Sequence, residues 1–371
     1  FVGLTKVAPF LKWSWFSLFS KEDPETGESK PHEGTNIHLI PSNVKYFGLE
    51  SMVRREPLVV TQSDIGAFKT CRRSWFLGSY LGLRQKEAPV IGPLTLGTRV
   101  HLAMEGYYTD GRDLVHYYNQ IPTEEYAKLV ESEVLFDHTA WESETDLGRI
   151  MLEGYIEWLE ETGADADYEI LGAEKRLTYR LKIYEVEVEL RGKVDIRVRN
   201  LVTGARLVVD NKTTAHFANL TMTADKNPQL KFYMLLERLA EKATPGDWVQ
   251  GAMFNMLRKV KRGASSNPPY YDRLEVRHND HTLRNFYNQT FGTLHDYVNV
   301  VKQLDAGTDH NMVAYPTAGA QCRYCPFRNP CLLMDDGSNV EAMIPSLYTQ
   351  GDPHERYDEE PAIFLDESAT R

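Results

Sequence analysis

An aspartate and a lysine, Asp210 and Lys212, stand two positions apart in an otherwise apolar run. On a β-strand, residues i and i+2 point to the same face about 7 Å apart, so these two groups would project together. A second carboxylate, Asp195, ends the stretch 192–195 (GKVD), and a short hairpin would bring it level with Asp210. Paired carboxylates supply the hard oxygen ligands that Mg²⁺ or Mn²⁺ prefers. Taken alone, however, a D-x-K pattern is more often an exposed Asp–Lys pair.

Two predicted helices add polar side chains to this set. His101 ends the pattern G-x-x-x-H that starts at Gly97, and Glu105 lies one turn further along the same helix face. Gln229 and Tyr233 are four residues apart and would share a face of another helix. Taken singly, a helical histidine is usually a satisfied surface or core residue, and a Gln–Tyr pair is often a simple contact. The order and spacing of all four patterns favour a shared catalytic site.

The four cysteines of the chain divide into one and three. Cys71 stands alone, and Cys322, Cys325 and Cys331 form a C-x2-C-x5-C cluster that begins 251 residues later. Thiolates grouped this closely suit a soft metal centre, either an iron–sulfur cluster or a tetrahedral zinc ion. The spacing alone does not separate these two, although structural zinc ligands usually arrive as two close pairs. A disulfide framework is disfavoured because the sequence shows no secretion signal.

Local basic clusters are candidate DNA contacts in a chain whose net charge is −11. The segment 335–371 holds ten acidic and two basic residues and carries −8, which leaves −3 for the other 334 residues. A body this close to neutrality can still present a basic groove. The candidate contacts to a nucleic-acid backbone are Arg72, Arg73, Arg258, Lys259, Lys261 and Arg262. A solvated hairpin tip is an equally good interpretation of the run from 258 to 262.

Hydrophobic periodicity predicts the elements that must position these residues. Alternation in 184–190 and 194–199 predicts two strands with one buried face, and 206–212 predicts a third strand, which carries the D-x-K pattern. Asn227 as a cap and Pro228 in the first turn predict the helix that carries Gln229. The other predicted elements are a helix from residue 61 capped by Ser63, helices after Pro93 and near 123–136, 144–162 and 280–304, and strands near 247–258 and 270–277. This order predicts an α+β layered core.

Three parts are predicted along the chain: an apolar arm with a linker over 1–60, a body over 61–334 and an acidic tail over 335–371. The first 20 residues are apolar and aromatic, but Lys12 interrupts them and no small-residue cleavage site follows, so we expect no signal peptide. No run of about 20 apolar residues predicts a membrane span. We therefore expect a cytoplasmic protein whose arm or tail is available to a protein partner.

Together these motifs resemble the RecB-like branch of the PD-(D/E)xK nuclease superfamily, including its iron–sulfur members, the AddB nuclease domain and the CRISPR-associated RecB-like exonucleases. The family pattern is G-x-x-x-H, G-x-x-D, D/E-x-K and Q-x-x-x-Y, which here ends at His101, Asp195, Lys212 and Tyr233. The cysteines follow the family arrangement of one before the core and three after it. The stretch 61–75 is also similar to the opening of the family, so the resemblance covers residues 61–334.

The resemblance implies a restriction-endonuclease-like core, with a central mixed sheet flanked by helices, a helical subdomain and a clamp formed by a four-cysteine metal cluster. It implies that the four cysteines hold a structural 4Fe-4S cluster, with zinc as the alternative. The residues implied to hold Mg²⁺ or Mn²⁺ are His101, Asp195, Asp210 and Asn211, the last mainly through its backbone. Lys212 would stabilise developing charge or orient the attacking water. Gln229 and Tyr233 would position metal, water or DNA backbone.

The implied activity is metal-assisted hydrolysis of DNA phosphodiester bonds. We expect an exonuclease that acts from free or single-stranded DNA ends in recombination, repair or DNA processing, with phage and CRISPR-associated systems among the contexts. Two alternatives stay open, an endonuclease on the same core and a non-catalytic subunit that binds DNA ends. The joint presence of His101, Asp195, Asp210 and Lys212 disfavours the second, because a binding module does not need all four.

Overall fold

The computed structural model describes residues 20–22, 29–31, 44–53, 57–86, 90–133, 135–240, 248–263 and 266–355. The chain divides into two units, Phe1–Pro41 and Ser42–Arg371. In the first unit, the described residues form two short antiparallel strands, β1 (Ser20–Glu22) and β2 (Ser29–Pro31). Within the described ranges, no helix is both long enough and apolar enough to span a membrane.

The second unit contains a six-stranded sheet, a small two-stranded sheet and the helices around them. Its strands are β3 (Leu58–Thr61), β4 (Leu83–Gln85), β5 (Tyr168–Ile183), β6 (Val186–Asn200), β7 (Arg206–Thr214), β8 (Val249–Arg258), β9 (Tyr271–Arg277) and β10 (Tyr348–Gln350). Its α-helices are α1 (Gln62–Thr70), α2 (Arg72–Trp75), α3 (Pro93–Asp110), α4 (Leu114–Glu131), α5 (His138–Thr162), α6 (Phe217–Thr221), α7 (Pro228–Ala240), α8 (Asp280–Asp305), α9 (His310–Val313), α10 (Arg328–Asp336) and α11 (Val340–Leu347).

Strand β6 organises the large sheet. It pairs antiparallel with β5 on one edge, while its other edge pairs in parallel with β3 over 188–191 and then antiparallel with β7 over 196–199. Strand β7 pairs in parallel with β8, and β8 pairs antiparallel with β9, so the sheet is mixed. The change of partner on β6 spans Gly192 to Asp195. The predicted G-x-x-D motif therefore lies where two strands separate.

Helices pack on both faces of this sheet. On one face, Phe232 of α7 and Tyr297 of α8 join Phe254 in the largest apolar cluster. On the other face, residues of α3 and α5 pack against Leu257 and Tyr271. Burying each such side chain contributes about 1.5–3 kcal/mol, enough to fix the helices on the sheet. The predicted α+β core, a mixed sheet flanked by helices, is confirmed.

The strand predictions around this core were wrong in two respects. The segments 184–190 and 194–199 were predicted as two strands, but 186–190 and 194–199 both belong to the continuous strand β6, because β5 pairs with it throughout. Residues 184–185 form the turn between β5 and β6. Strand β5 itself was not predicted. It lies at an edge of the sheet and is mostly half-exposed, so its sequence lacks a clear alternation. Positive φ angles at Gly172 (152°) and Glu174 (50°) also interrupt it.

The helix predicted from residue 61 begins as expected but is divided at Cys71, which has an extended backbone between α1 and α2. Its N-cap is Thr61 rather than the predicted Ser63. The Thr61 hydroxyl accepts a hydrogen bond from the Asp64 N–H, and the Asp64 carboxylate accepts one from the Thr61 N–H. Cys71, at the other end of α1, lies at the junction of the two helices.

Residues beyond both predicted boundaries of the body belong to the same compact unit. Before residue 61, Tyr46 is buried, and its hydroxyl donates hydrogen bonds to the carbonyls of Leu304 (2.8 Å) and Thr308 (2.7 Å). After residue 334, α11 and β10 pack on the body, and His354 is 1% exposed beside Asp64. Residues 1–19 of the predicted arm and 356–371 of the predicted tail lie outside the described residues.

Candidate active site

The two aspartates predicted to share a site lie level on adjacent strands. The ladder between β6 and β7 pairs Ile196 with Val209, so Asp195 and Asp210 come next, where the strands separate. The main-chain N–H of Asn211 donates a 2.7 Å hydrogen bond to Asp195 Oδ2 across this opening. Both carboxylates are buried, with 9% and 1% of their surface exposed. The hairpin inferred from the sequence is therefore present, with the expected alignment.

His101 approaches this pair from α3. A Cβ atom on Gly97, one turn earlier, would lie 3.3 Å from Thr213 Oγ1, so the glycine lets α3 pass close to β7. His101 Nδ1 is 3.4 Å from Asp195 Oδ2. Burial lowers the pKa of His101, and the charge of Asp210 opposes this effect without cancelling it. The imidazole is therefore favoured in its neutral form, which is the form that can bind a metal.

Lys212 is held between a carboxylate and an amide. Its Nζ lies 2.7 Å from Asp210 Oδ2 and donates a 3.1 Å hydrogen bond to Gln229 Oε1. Gln229 Nε2 in turn donates to the Tyr233 hydroxyl at 2.9 Å. As predicted, Asn227 caps the helix, because its Oδ1 accepts a hydrogen bond from the Gln229 N–H. The start of α7 thus sets the position of the lysine.

The glycine of the G-x-x-D motif allows α7 to lie close to β6. A Cβ atom on Gly192 would be 2.8 Å from Leu236 Cδ1 and 3.4 Å from Tyr233 Cε1. A larger residue would therefore require the Leu236 side chain to shift and would lie in contact with the Tyr233 ring.

Asn211 turns its main chain toward the site and its side chain away from it. Successive residues of a strand face opposite sides of the sheet. Asn211 Oδ1 accepts a 2.9 Å hydrogen bond from Asn255 Nδ2 on β8, whereas the Asn211 backbone contacts both Asp195 and His101. The contribution of the Asn211 backbone to metal binding stays a prediction.

Glu174 joins the site and was not predicted from the sequence. Its Oε2 is 2.9 Å from Lys193 Nζ, and burial together with the charge of Asp195 raises the pKa of Glu174 to about 7. Glu105, expected on the same face of α3 as His101, has Oε1 3.8 Å from the same Lys193 Nζ. The only sequence signal for Glu174 was its place one strand before Asp195, and that strand has no clear periodicity.

The charges in the opening are not balanced by the protein alone. Burial raises the pKa of Asp195, and the charge of Asp210 raises it further, because two facing carboxylates resist ionising together. Asp210 Oδ2 is paired with Lys212 Nζ at 2.7 Å, and this lysine supplies one positive charge beside the two facing carboxylates. This donor set fits a divalent cation that prefers oxygen ligands. With the side chains as they stand, no three His, Cys, Asp or Glu groups among the described residues are grouped to hold a metal ion.

All four cysteines lie within the described ranges and line one cavity of about 800 Å³. The Thr317 N–H donates to Cys71 Sγ at 3.4 Å, so the segment before the cysteine cluster contacts the lone cysteine directly. None of the four forms a disulfide. Burial raises the pKa of the Cys331 thiol, and Arg73 opposes this effect. The fold therefore brings together the two groups of cysteines that the sequence separates.

Arg73 does not have the exposure that a DNA contact needs. It is 2% exposed, and its guanidinium donates to the Ala314 carbonyl at 2.9 Å and to Asn311 Oδ1 at 2.8 Å. The prediction that Arg73 contacts DNA is contradicted by this burial, and the side chain instead ties α2 to the segment before the cysteines. Arg72 is half-exposed, and its guanidinium lies over the rings of Phe68 and Tyr315.

The other predicted DNA contacts follow β8. Lys261 is exposed. The remaining three cations contact protein acceptors. Arg258 donates to the Asn267 carbonyl, Lys259 donates to the Pro93 carbonyl, and Arg262 pairs with the Glu157 carboxylate. The Lys259 N–H donates to the Thr214 carbonyl at 2.8 Å. The basic run thus lies beside the end of β7, the strand that carries Asp210 and Lys212.

Of the comparisons with known proteins, the match to a family model identifies the family of this chain. No curated protein matches the chain. Among solved structures, a crystal structure of SSO0001 matches with 14% identity over 73% of this chain and 84% of its own, with a TM-score of 0.29. The family model of the PD-(D/E)XK nuclease superfamily matches residues 59–332, which include all four motifs and the four cysteines. The chain belongs to the PD-(D/E)XK nuclease superfamily.

Proposed function

We propose that this protein is a Mg²⁺- or Mn²⁺-dependent deoxyribonuclease that degrades DNA from its ends. The observation that carries the proposal is the convergence of Asp195, Asp210 and Lys212 at the point where β6 and β7 separate. A purely structural Asp–Lys pair has no need of a second buried carboxylate beside it. Burying two like charges is costly unless a cation joins them, so the arrangement favours a catalytic role.

The residues that would hold the metal are His101, Asp195, Asp210 and the backbone of Asn211, and Glu174 is an additional carboxylate at the same opening. A bound Mg²⁺ or Mn²⁺ supplies Lewis acidity and lowers the pKa of an attacking water. Lys212 is placed to stabilise negative charge that develops on the phosphate. Gln229 and Tyr233 keep the lysine in place through the hydrogen bonds that join the three side chains.

The cysteine cavity supports the further proposal of a structural 4Fe-4S cluster, as in the iron–sulfur branch that the motifs resemble. Four thiols on one cavity match the ligand set of such a cluster. A zinc ion is the alternative, because four thiolates are also a zinc ligand set. The iron–sulfur cluster is preferred on the resemblance of the motifs to the iron–sulfur branch. Loss of the cluster would remove one link between the start of α2 and the C-terminal segment and so destabilise the nuclease body.

We also propose that the accessible cations beside the end of β7 bind the DNA backbone. Lys261 is exposed, and Lys259 and Arg258 are half-exposed. Attraction between such cations and phosphates weakens as salt increases, because binding releases counterions from the DNA. A role in recombination, repair or DNA processing in the cytoplasm follows from the resemblance.

Digestion of labelled DNA tests the proposal. Linear DNA labelled at either end and covalently closed circular DNA are incubated with the protein and MnCl2, and parallel reactions contain EDTA. We expect the linear DNA to release its label as short products, the circle to survive and EDTA to abolish the reaction. Cleavage of the circle would replace the exonuclease with an endonuclease. Binding of ends without cleavage in Mn²⁺ would support the non-catalytic subunit instead.

A further inference from the structure

A line of buried polar residues crosses the sheet behind the candidate active site. Asn211 on β7, Asn255 on β8 and Arg273 on β9 are paired neighbours in the strand ladders. Asn255 is 1% exposed, and its Nδ2 donates 2.9 Å hydrogen bonds to Asn211 Oδ1 and to the Tyr155 hydroxyl. Its Oδ1 accepts from Arg273 Nε at 3.3 Å. Both amide protons and the carbonyl oxygen of Asn255 are therefore used.

The far end of this line is anchored to two helices. Arg273 Nη2 donates to the Tyr155 hydroxyl of α5 at 3.0 Å and to Asp165 Oδ1 at 2.6 Å. The hydroxyl of Tyr108, on α3, is 2.9 Å from that of Tyr155. Helix α3 also carries His101. The network thus links the helix of the histidine to the strand of the D-x-K motif.

Such a network is not what packing alone would select. A buried polar group costs free energy unless all its hydrogen bonds are formed, whereas apolar side chains fill a sheet face without this demand. Fully satisfied networks rigidify their surroundings and specify one arrangement. Here the arrangement that is specified includes Asn211, the residue between Asp210 and Lys212.

We propose that Asn255 is a positioning residue for DNA cleavage and that it acts through Asn211. Its hydrogen bond to the Asn211 side chain fixes the orientation of the peptide units that connect Asp210 to Lys212. One of these peptide units contains the Asn211 N–H, which donates a 2.7 Å hydrogen bond to Asp195 Oδ2. The inference rests on the proposed nuclease function and adds to it a residue that touches neither metal nor DNA.

The expected effect follows from this indirect role. Loss of residues that orient metal ligands typically costs about 10–100-fold in activity or metal affinity. We expect Asn255→Ala to lower kcat within this range while KM for DNA stays within about twofold, because a buried residue makes no contact with the substrate. Binding of Mn²⁺ to the DNA-free protein, measured by calorimetry, should weaken in parallel.

A double-mutant cycle separates positioning from general loss of stability. If Asn255 acts through Asn211, then Asn211→Ala and the double variant should show the same loss of kcat as Asn255→Ala, without multiplying. Tyr271→Phe is the matched control. It removes a buried hydroxyl, which donates to the Met151 carbonyl at 2.7 Å in the same interface between α5 and the sheet, and it keeps the ring that packs on Tyr155. Among the described residues, this hydroxyl has no hydrogen bond to Asn211, Asn255 or Tyr155. This control should keep wild-type kcat and Mn²⁺ affinity.

Tyr155→Phe provides a second test if Asn255→Ala does not fold. It preserves volume and removes the hydroxyl that accepts from Asn255, so a smaller loss of kcat is expected. Wild-type kcat and Mn²⁺ affinity in both network variants, or losses that multiply in the double variant, would overturn the proposal. If the wild-type protein does not cleave DNA, the proposed nuclease function is refuted. The positioning role is then tested by Mn²⁺ binding alone, and equal Mn²⁺ affinities in wild type and variants would overturn it.

Discussion

Asn211 and Asp195 are joined across the opening between two strands by a 2.7 Å hydrogen bond from the main-chain N–H of one to Oδ2 of the other. The bond holds Asp195 beside β7 at the point where the regular ladder between β6 and β7 has ended. It also counters part of the rise in the pKa of Asp195 that burial and Asp210 cause. The site is thus built on strand backbones, which position side chains more accurately than loops do.

The first prediction concerns Asp210. Asp210→Asn should reduce cleavage at least about 10²–10³-fold, because it removes the buried charge that a catalytic cation and Lys212 both need. DNA binding in EDTA should persist, since the side chain is 1% exposed. Initial rates with Mn²⁺ and a gel-shift titration measure the two effects. Asp272→Asn, at an exposed position on β9, is the control and should cleave normally. Wild-type cleavage by Asp210→Asn would remove the catalytic assignment of this site.

The second prediction is a pH dependence of stability in the metal-free protein. Burial and Asp210 raise the pKa of Asp195 in the folded state, so folded protein keeps a proton that unfolded protein releases above about pH 4. Stability should therefore fall as pH rises from this value toward the raised pKa, by at most about 1.4 kcal/mol per pH unit for this group. Glu174 adds to this loss of stability as pH rises toward its own raised pKa of about 7.

Urea unfolding in EDTA at several pH values between 5 and 8 measures this effect. Asp195→Asn cannot ionise, so its stability relative to wild type should increase with pH. Adding Mn²⁺ at pH 8 should restore wild-type stability and leave the variant almost unchanged. A difference between variant and wild type that stays constant across the pH range would show that Asp195 ionises normally.

Much of this site followed from the sequence because its motifs are local. The apolar run around Asp210 and the cap at Asn227 depend on neighbouring residues, and both elements formed as predicted. Glu174 and β5 were missed because an edge strand with half-exposed residues has no strong alternation. Arg73 is buried because its guanidinium donates to acceptors at Asn311 and Ala314, more than 230 residues away in the sequence. No local pattern reports such contacts.

The third prediction concerns the cysteine cavity. Protein purified without oxygen should be brown and absorb broadly near about 400 nm, as thiolate-bound iron–sulfur centres do. Cys71→Ala and Cys322→Ala should each lose this absorption and iron, and both should unfold at lower temperature. Ser74→Ala, at a position that lines the same cavity without a thiol, is the control and should keep both. Colourless protein that contains one zinc per chain would favour the zinc alternative.

The fourth prediction concerns His354, which ties the C-terminal segment to the start of α1. His354 Nε2 is 2.8 Å from Asp64 Oδ2, and Asp64 also caps the helix that ends beside Cys71. Burial alone would raise the pKa of Asp64, but its hydrogen bond and ionic interaction with His354 lower it. The stabilisation is therefore present above about pH 4 and is lost as pH falls below the usual carboxyl range.

His354→Ala should reduce the free energy of unfolding by about 1–3 kcal/mol at pH 7, because it leaves a buried carboxylate without one of its partners. The loss should shrink below pH 4, where Asp64 becomes protonated. A chain cut after Met334 should be destabilised more strongly, since it also lacks α11 and the pairing of β10 with β4. A chain cut after Glu355 is the matched control, because it keeps His354 and all of the described C-terminal segment. Urea unfolding of wild type, His354→Ala and the two shortened chains measures these differences. Equal stability of His354→Ala and wild type at pH 7 would show that the C-terminal segment is held by the pairing of β10 with β4 alone.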